Sequence, residues 1–237
     1  MHPPKILACG DAALTVEFGS TIDPRLNARV LALDARVAAG VLGVVETVPT
    51  YRSLLVHYDP LATSFEDLSE ALLALCTDLP DTPAEARLWR IPVVYGGEFG
   101  IDLEDVAARH GLSPAELIAK HAAPTYRVYM IGFLPGFSYL GGLDPTIATS
   151  RRVSPRTHTP AGTISIGGVQ ALVASLAAPS GWHLLGRTPV RTFMPGRDPT
   201  FLLGPGDRVR FEPIAPSRWD ALDRAAAAGD PVAEVIG

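Results

Sequence analysis

Leu14, Val16 and Phe18 alternate with Thr15 and Glu17, the period of two that a half-buried strand requires. Leu26, Val30, Leu33 and Val37 then recur at 4-3-4 spacing, which puts them on one face of a helix spanning about 24–39. Asp23 can cap that helix, Pro24 suits its first position and Gly40 closes it. The pattern returns to strands over 44–49 and 51–58, then to a helix over 65–78. Ser64 with Asp67 resembles a capping box there, ahead of the stripe Phe65, Leu68, Leu72 and Leu75. A further strand covers 88–95, with Pro92 placing it at an edge or a bulge. The resulting order, β-α-β-β-α-β, predicts a ferredoxin-like α/β sandwich for an N-terminal domain of residues 1–86.

Beyond it the pattern changes. Short helices over 102–110 and 114–121, the second introduced by Ser113-Pro114, link to a second domain spanning 87–237. From Tyr126 to Phe211 short apolar pieces (128–131, 163–166, 171–174, 190–193, 200–203 and 209–211) are separated by Gly/Pro turns, which predicts a β-barrel or sandwich. An Ala-rich helix follows over 217–228. The fold class expected is therefore α+β.

Composition sharpens this division. Of 22 Gly and 22 Pro, 12 and 11 fall within 130–216, a share that low-complexity sequence also reaches. With 47% hydrophobic and 19% charged residues the chain is nevertheless too apolar to stay disordered. The glycines and prolines must turn a folded chain.

Charge is unevenly placed as well. Residues 1–85 carry 5 Lys/Arg against 12 Asp/Glu, whereas 145–211 carry 8 Arg against Asp198 and Asp207. That local excess suits an anionic ligand. A nucleic-acid binder is disfavoured, since the pI of about 5.7 lies far below the basic range of such domains. Cys9 and Cys76 belong to no metal-binding or disulfide pattern, and no HExxH, His-x-His or carboxylate cluster suggests a metal. Asp11 interrupts the only apolar run near the N-terminus, so no signal peptide is read and a cytoplasmic location is expected. The 30 residues between Arg156 and Arg187 lack any Asp, Glu, Lys or Arg, but their glycines and the Ile164/Ile166 alternation read as buried strands, not a membrane helix.

Three turn-rich motifs carry the candidate chemistry: GFLPGFSYLGGLD from Gly132, SPRTHTPAGTISIGGVQ from Ser154, and SGWHLLGRTP from Ser180. Glycines such as Gly136 and Gly162 let backbone amides approach a ligand, or simply turn strands. Arg156, Arg187 and Gln170 can orient carboxylate or phosphate oxygens. Phe133, Phe137, Tyr139 and Trp182 read equally as a small-molecule pocket, a partner surface or core.

At these motifs the chain resembles the family of the 5-oxoprolinase B subunit, also described as allophanate hydrolase subunit 1, which includes the sporulation kinase inhibitor KipI. The resemblance runs over nearly the whole chain and is strongest from Tyr129 to Arg210. It implies an N-terminal α/β domain and a C-terminal cyclophilin-like β-barrel. It also implies a heteromeric, ATP-dependent enzyme that opens 5-oxoproline to glutamate. The partners would be the C subunit of that enzyme, which resembles biotin-dependent carboxyltransferases, and its A subunit. ATP, with Mg, would act at the level of the complex, because the chain has no GxxxxGK[ST] loop and only Lys5 and Lys120 as lysines.

Within the motifs, His158, His183 and Arg156 are the candidate catalytic residues: either histidine can serve as a general base, since opening a lactam moves protons, and Arg156 can orient an anion; each histidine also reads as a hydrogen bond to a loop backbone. Phe133, Gly136, Tyr139, Gly162, Gln170, Trp182 and Arg187 are the candidate substrate-binding residues. The chain departs from the family pattern after Gln170, where Ala-Leu-Val-Ala-Ser replaces a Thr-Gly-Ile-Tyr-Pro type of segment, and at His158, where Arg is commoner. Two alternatives stay open: a KipI-like inhibitor of a sensor histidine kinase, and an allophanate- or urea-metabolising hydrolase or carboxyltransferase component.

Overall fold

The computed structural model describes residues 3–237. The chain divides after Glu85 into two compact units, the second being Ala86–Gly237. In the first, strands β1 (Lys5–Ala8), β2 (Ala13–Glu17), β3 (Val44–Pro49) and β4 (Ser53–Tyr58) form an antiparallel sheet in the order β1-β2-β4-β3. Helices α1 (Pro24–Ala38) and α2 (Phe65–Leu75) bury Val30, Leu33, Leu68 and Leu72 against Leu14, Val16, Leu54 and Val56. Both helices begin where local chemistry predicts. The Asp23 carboxylate accepts the Arg25 amide at 2.7 Å and Ser64 Oγ accepts the Asp67 amide at 3.0 Å, caps worth about 1 kcal/mol each.

The expected β-α-β-β-α-β order does not hold in this sheet. Its sixth element, β5 (Leu88–Tyr95), lies in the second unit, and β1 takes a sheet edge that the sequence pattern did not reveal. Burial explains the difference, because Ile91, Val93 and Val94 are fully buried and Trp89 nearly so, inside a sheet with partners on both sides. Nor does Pro92 mark an edge. Val93 O accepts from Ile214 N on the side of the later strand β13 (Arg208–Pro213), so the neighbouring Pro92 nitrogen faces the opposite side. There β14 (Glu234–Val235) pairs with Trp89 and Arg90, while β12 (His183–Arg187) pairs with Val94 and Tyr95. The missing N–H falls in the gap between them.

After β5 come α3 (Leu103–Arg109) and α4 (Pro114–Ala122), the latter with a complete capping box between Ser113 and Glu116. The strands β6 (Tyr126–Ile131), β7 (Ser138–Gly141), β9 (Thr163–Gly167) and β10 (Gln170–Val173) join β12, β13 and β5 in a closed seven-stranded barrel. Its order is β12-β9-β10-β7-β6-β13-β5, and Gly186 opposite Tyr95 closes the ring. Two strands, β8 (Arg156–Thr159) and β11 (Ala178–Ser180), form a separate ribbon, and α5 (Trp219–Ala228) follows β13. Segments 190–193 and 200–203, expected as strands, meet only at the bridge between Phe193 and Phe201. Pro189, Pro195 and Pro199 deprive that stretch of ladder donors.

Ile91, Val128, Leu140, Ile164, Ile166, Ala171, Val173, Leu185 and Val209 share one core with Leu103, Val106 and Leu117 of α3 and α4. The barrel is thus filled with side chains rather than open. Because side chains alternate along a strand, Tyr139 and Leu172, which are register partners, point away from that core. With Phe137, Ala174 and Trp182 they build a second, smaller cluster on the outside of β7 and β10.

Candidate functional site

On this outer cluster lies a cavity of about 270 Å³. Its floor is Tyr139 and Leu172, its aromatic walls are Phe133, Phe137 and Trp182, and its rim comprises Arg151, Arg152 and Pro155 on one side and Pro179, Ser180 and Gly181 on the other. The rings form a continuous run. Phe133 meets Phe137 edge-on at 5.4 Å, Phe137 meets Tyr139 at 5.8 Å, and Tyr139 meets Trp182 edge-on at 6.0 Å. Gly167 of β9 makes room for the indole, since a Cβ there would lie 2.6 Å from Trp182. Phe133 is 66% exposed and has φ of 71°, a backbone conformation that bulky residues rarely adopt.

Behind the rim sits a buried charge cluster. Asp102 is 4% exposed. It accepts both Arg156 Nη atoms, at 2.9 and 2.6 Å, the Leu184 amide at 2.8 Å, and Arg152 Nη1 at 3.4 Å. Burial alone would raise the Asp102 carboxyl; the hydrogen bonds from Arg156 and Leu184, with the charges of both arginines, outweigh it and hold it below the usual carboxylate range. Arg152 N in turn donates to Gly181 O at 2.7 Å, which ties the arginine loop to the turn before Trp182. Arg151 is placed differently. Its guanidinium lies 5.5 Å from the Trp182 ring centroid, and no carboxylate among the described residues pairs with it. Burial pushes the Tyr139 phenol up, with the Arg151 charge opposing, so the hydroxyl stays protonated at neutral pH.

The structure brings Phe133, Tyr139 and Trp182 together in the cavity and sets the other sequence candidates apart from its walls. Arg156 is clamped bidentately on Asp102. His183 is 1% exposed, its Nε2 within 2.9 Å of Ser150 O and its Nδ1 buried without a partner. His158 is exposed on β8. Gln170 opens β10 opposite Gly167 at the hairpin. Arg187 donates to Ala161 O from Nε and Nη2, at 3.2 and 3.1 Å, and stacks over Trp219. Gly162, with φ of 76°, passes so close to Thr188 that a Cβ would sit 2.3 Å from its carbonyl oxygen. Gly136, with φ of 72°, packs against Phe193 in the same manner, its own carbonyl accepting Thr192 Oγ1.

Sequence reasoning did not single out Arg151 and Arg152. The only available signal was their position, one residue short of the SPRTHTP motif within the arginine-rich stretch.

Two larger hollows carry less chemistry. One of about 630 Å³ in the first unit is walled by Lys5, Glu17, Asp23 and Arg25, charges of both signs, with Arg25 paired to Asp81 and Asp23 committed to the α1 cap. Another, of about 400 Å³, has Arg87 as its only ionised lining residue, and Asp207 holds that guanidinium at 2.8 Å. Among the described residues no group of three or more His, Cys, Asp or Glu could hold a metal ion, and no helix is long and apolar enough to cross a membrane.

Comparison with known proteins gives a consistent picture. The family model for the carboxyltransferase domain, subdomains C and D, matches residues 4–203. The B subunit of 5-oxoprolinase from Bacillus subtilis is 38% identical over 227 residues, covering 90% of this chain and 93% of that protein. The solved structure of TTHA0988 aligns with a TM-score of 0.76 at 39% identity over 86% of this chain, which spans only 40% of that longer one. The urea amidolyase of K. lactis aligns with a TM-score of 0.83 over 98% of this chain and 16% of its own length. At 19% identity that likeness is one of fold.

Proposed function

Because the chain belongs to the carboxyltransferase C and D subdomain family, and within it to the 5-oxoprolinase B-subunit proteins, we propose that it is one component of an ATP-dependent lactam hydrolase. The reaction is 5-oxoproline + ATP + 2 water → glutamate + ADP + phosphate, one water opening the lactam and one ending on the phosphate. The observation that carries this reading is identity of 38–42% to relatives named for that B component. The geometry supports a division of labour. A lactam is a resonance-stabilised amide, so coupling its opening to ATP requires a place for a small ring and a separate place for a nucleotide. The 270 Å³ cavity is below the roughly 300–1,000 Å³ of drug-sized sites and suits only the ring. ATP and its Mg, in this reading, are held by the partner C and A subunits. Arg156 and His183, both engaged with the protein itself, act by fixing the loop that carries Arg151 and Arg152. The kinase-inhibitor alternative rests on resemblance alone.

The test is reconstitution. The full chain, mixed with co-expressed C and A subunits, ATP, Mg and 5-oxoproline, is expected to release ADP and glutamate in equal amounts. Folded partners that show no ADP release above that of C and A alone would refute the assignment.

A further inference from the structure

We propose that the cavity beneath Trp182 is a binding site for a small carboxylate carried on a flat, largely apolar body, and that Arg151 is the residue that grips the carboxylate. The choice of 5-oxoproline among such molecules rests on the lactam-hydrolase reading; the ligand class rests on the site itself.

Charge sets the first requirement. Arg151 and Arg152 reach the cavity and no acidic side chain lines it. Asp102 lies behind the wall and is taken chiefly by Arg156, whose two bonds to it are shorter than the 3.4 Å contact of Arg152. One carboxylate stands against three arginines and pairs with only two of them, Arg152 and Arg156, which leaves a net positive cavity that an anion completes. Of the three, Arg151 has neither an ion pair nor a bidentate backbone contact among the described residues, and only the indole face holds it. A guanidinium parked on an aromatic ring keeps its planar fork of donors free for a carboxylate.

The body of the ligand follows from the walls. Phe133, Phe137, Tyr139 and Trp182 offer aromatic surface that a bare inorganic anion would not use. Phe133 presents a large ring to solvent from a backbone conformation unfavourable to it, as expected where an apolar wall awaits contact. Polar groups remain for one further interaction. Ser180 Oγ accepts the Trp182 amide at 3.1 Å and keeps its own proton to donate, and the Tyr139 hydroxyl is a second donor. An amide carbonyl on the ligand would satisfy either of them. Size completes the description: about 270 Å³ is the space of roughly nine water molecules at about 30 Å³ each, enough for a five-membered ring with its carboxylate and too little for a nucleotide.

The experiment titrates the full chain by calorimetry with pyrrole-2-carboxylate, 5-oxoproline, pyrrolidin-2-one, which lacks the carboxylate, and inorganic phosphate, which lacks the ring. The two carboxylates are expected to bind at least about ten-fold more tightly than the other probes. Arg151→Ala, a change at an exposed position, should weaken them at least about ten-fold, as loss of a charge-assisted hydrogen bond does, while leaving pyrrolidin-2-one unaffected. In the reconstituted enzyme the same variant should raise KM for 5-oxoproline by a similar factor.

Phosphate binding as tightly as the carboxylates would overturn the proposal, as would unchanged carboxylate affinity and KM in Arg151→Ala. An active complex with an Arg151-independent KM would overturn this inference and leave the lactam-hydrolase reading standing. Arg151-dependent binding of pyrrole-2-carboxylate in a chain whose complex releases no glutamate would do the reverse.

Discussion

Asp102 and His121 show how single buried groups set the stability of the second unit. Asp102 receives four hydrogen bonds and has almost no access to water. Asp102→Asn keeps its shape and removes the charge that Arg156 and Arg152 face. Breaking a buried pair typically costs about 3–5 kcal/mol. The arginine side chains keep 22–30% of their exposure, so a loss nearer 2–3 kcal/mol in urea denaturation is expected. A midpoint within error of wild type would show the cluster to be dispensable. His121 is fully buried, with Nδ1 paired to the Tyr95 hydroxyl, Nε2 unpaired and its ring stacked on Phe211. Burial pulls its pKa down from 6.5 to about 3. The unfolded chain therefore takes up the proton first, so this contribution is complete above pH 6.5 and is lost as the pH falls toward 3. Between pH 7 and pH 5 wild-type protein should lose about 2 kcal/mol through this group, at about 1.4 kcal/mol per unit. In His121→Phe that part of the slope should vanish from paired denaturation curves.

At the level of elements, local signals were the readable ones. Asp23-Pro24, Ser64 with Asp67, and Ser113-Pro114 announce their helices within a few residues, and the structure starts all three there. Strands β1, β7 and β14 escaped notice, and β8, β11 and β12 were read only collectively, within the uncharged stretch taken as buried strands, because each is defined by a partner distant in sequence or by only two to five residues. The cavity was half legible for the same reason. Phe133, Tyr139 and Trp182 stand in recognisable motifs, whereas Arg151 acquires its role only when Trp182 of another loop comes beneath it. Gly162 illustrates the opposite case, a motif glycine whose need is a close backbone crossing. Gly162→Ala meets both a positive φ and the Thr188 carbonyl, and should lower stability by about 1–3 kcal/mol without a matching change in ligand affinity. Paired denaturation and calorimetry would check both halves of that statement. An affinity loss at unchanged stability would instead place Gly162 in direct contact with ligand.

The whole molecule is two cores on one chain, and the join between them is accessible. Thr82, Ala84 and Glu85 are exposed where the first unit ends. Limited digestion with a glutamate-specific protease should cut first after Glu85, giving fragments that end and begin there by mass spectrometry. Earlier cutting inside either unit would contradict the division. The second unit also has an unusual order of assembly in time. Strand β5 is its first to be made, yet its neighbours are β12, β13 and β14, and Arg208, the partner of Leu88, lies 120 positions later. At about 5–20 residues per second a ribosome needs roughly 6–24 s to cover that distance. For most of that interval a Val- and Ile-bearing strand has its permanent neighbours unmade. Pro92 at its centre, harmless in the finished barrel because it faces a gap, offers a foreign strand no N–H to pair with at that position, the property by which prolines interrupt edge-to-edge pairing.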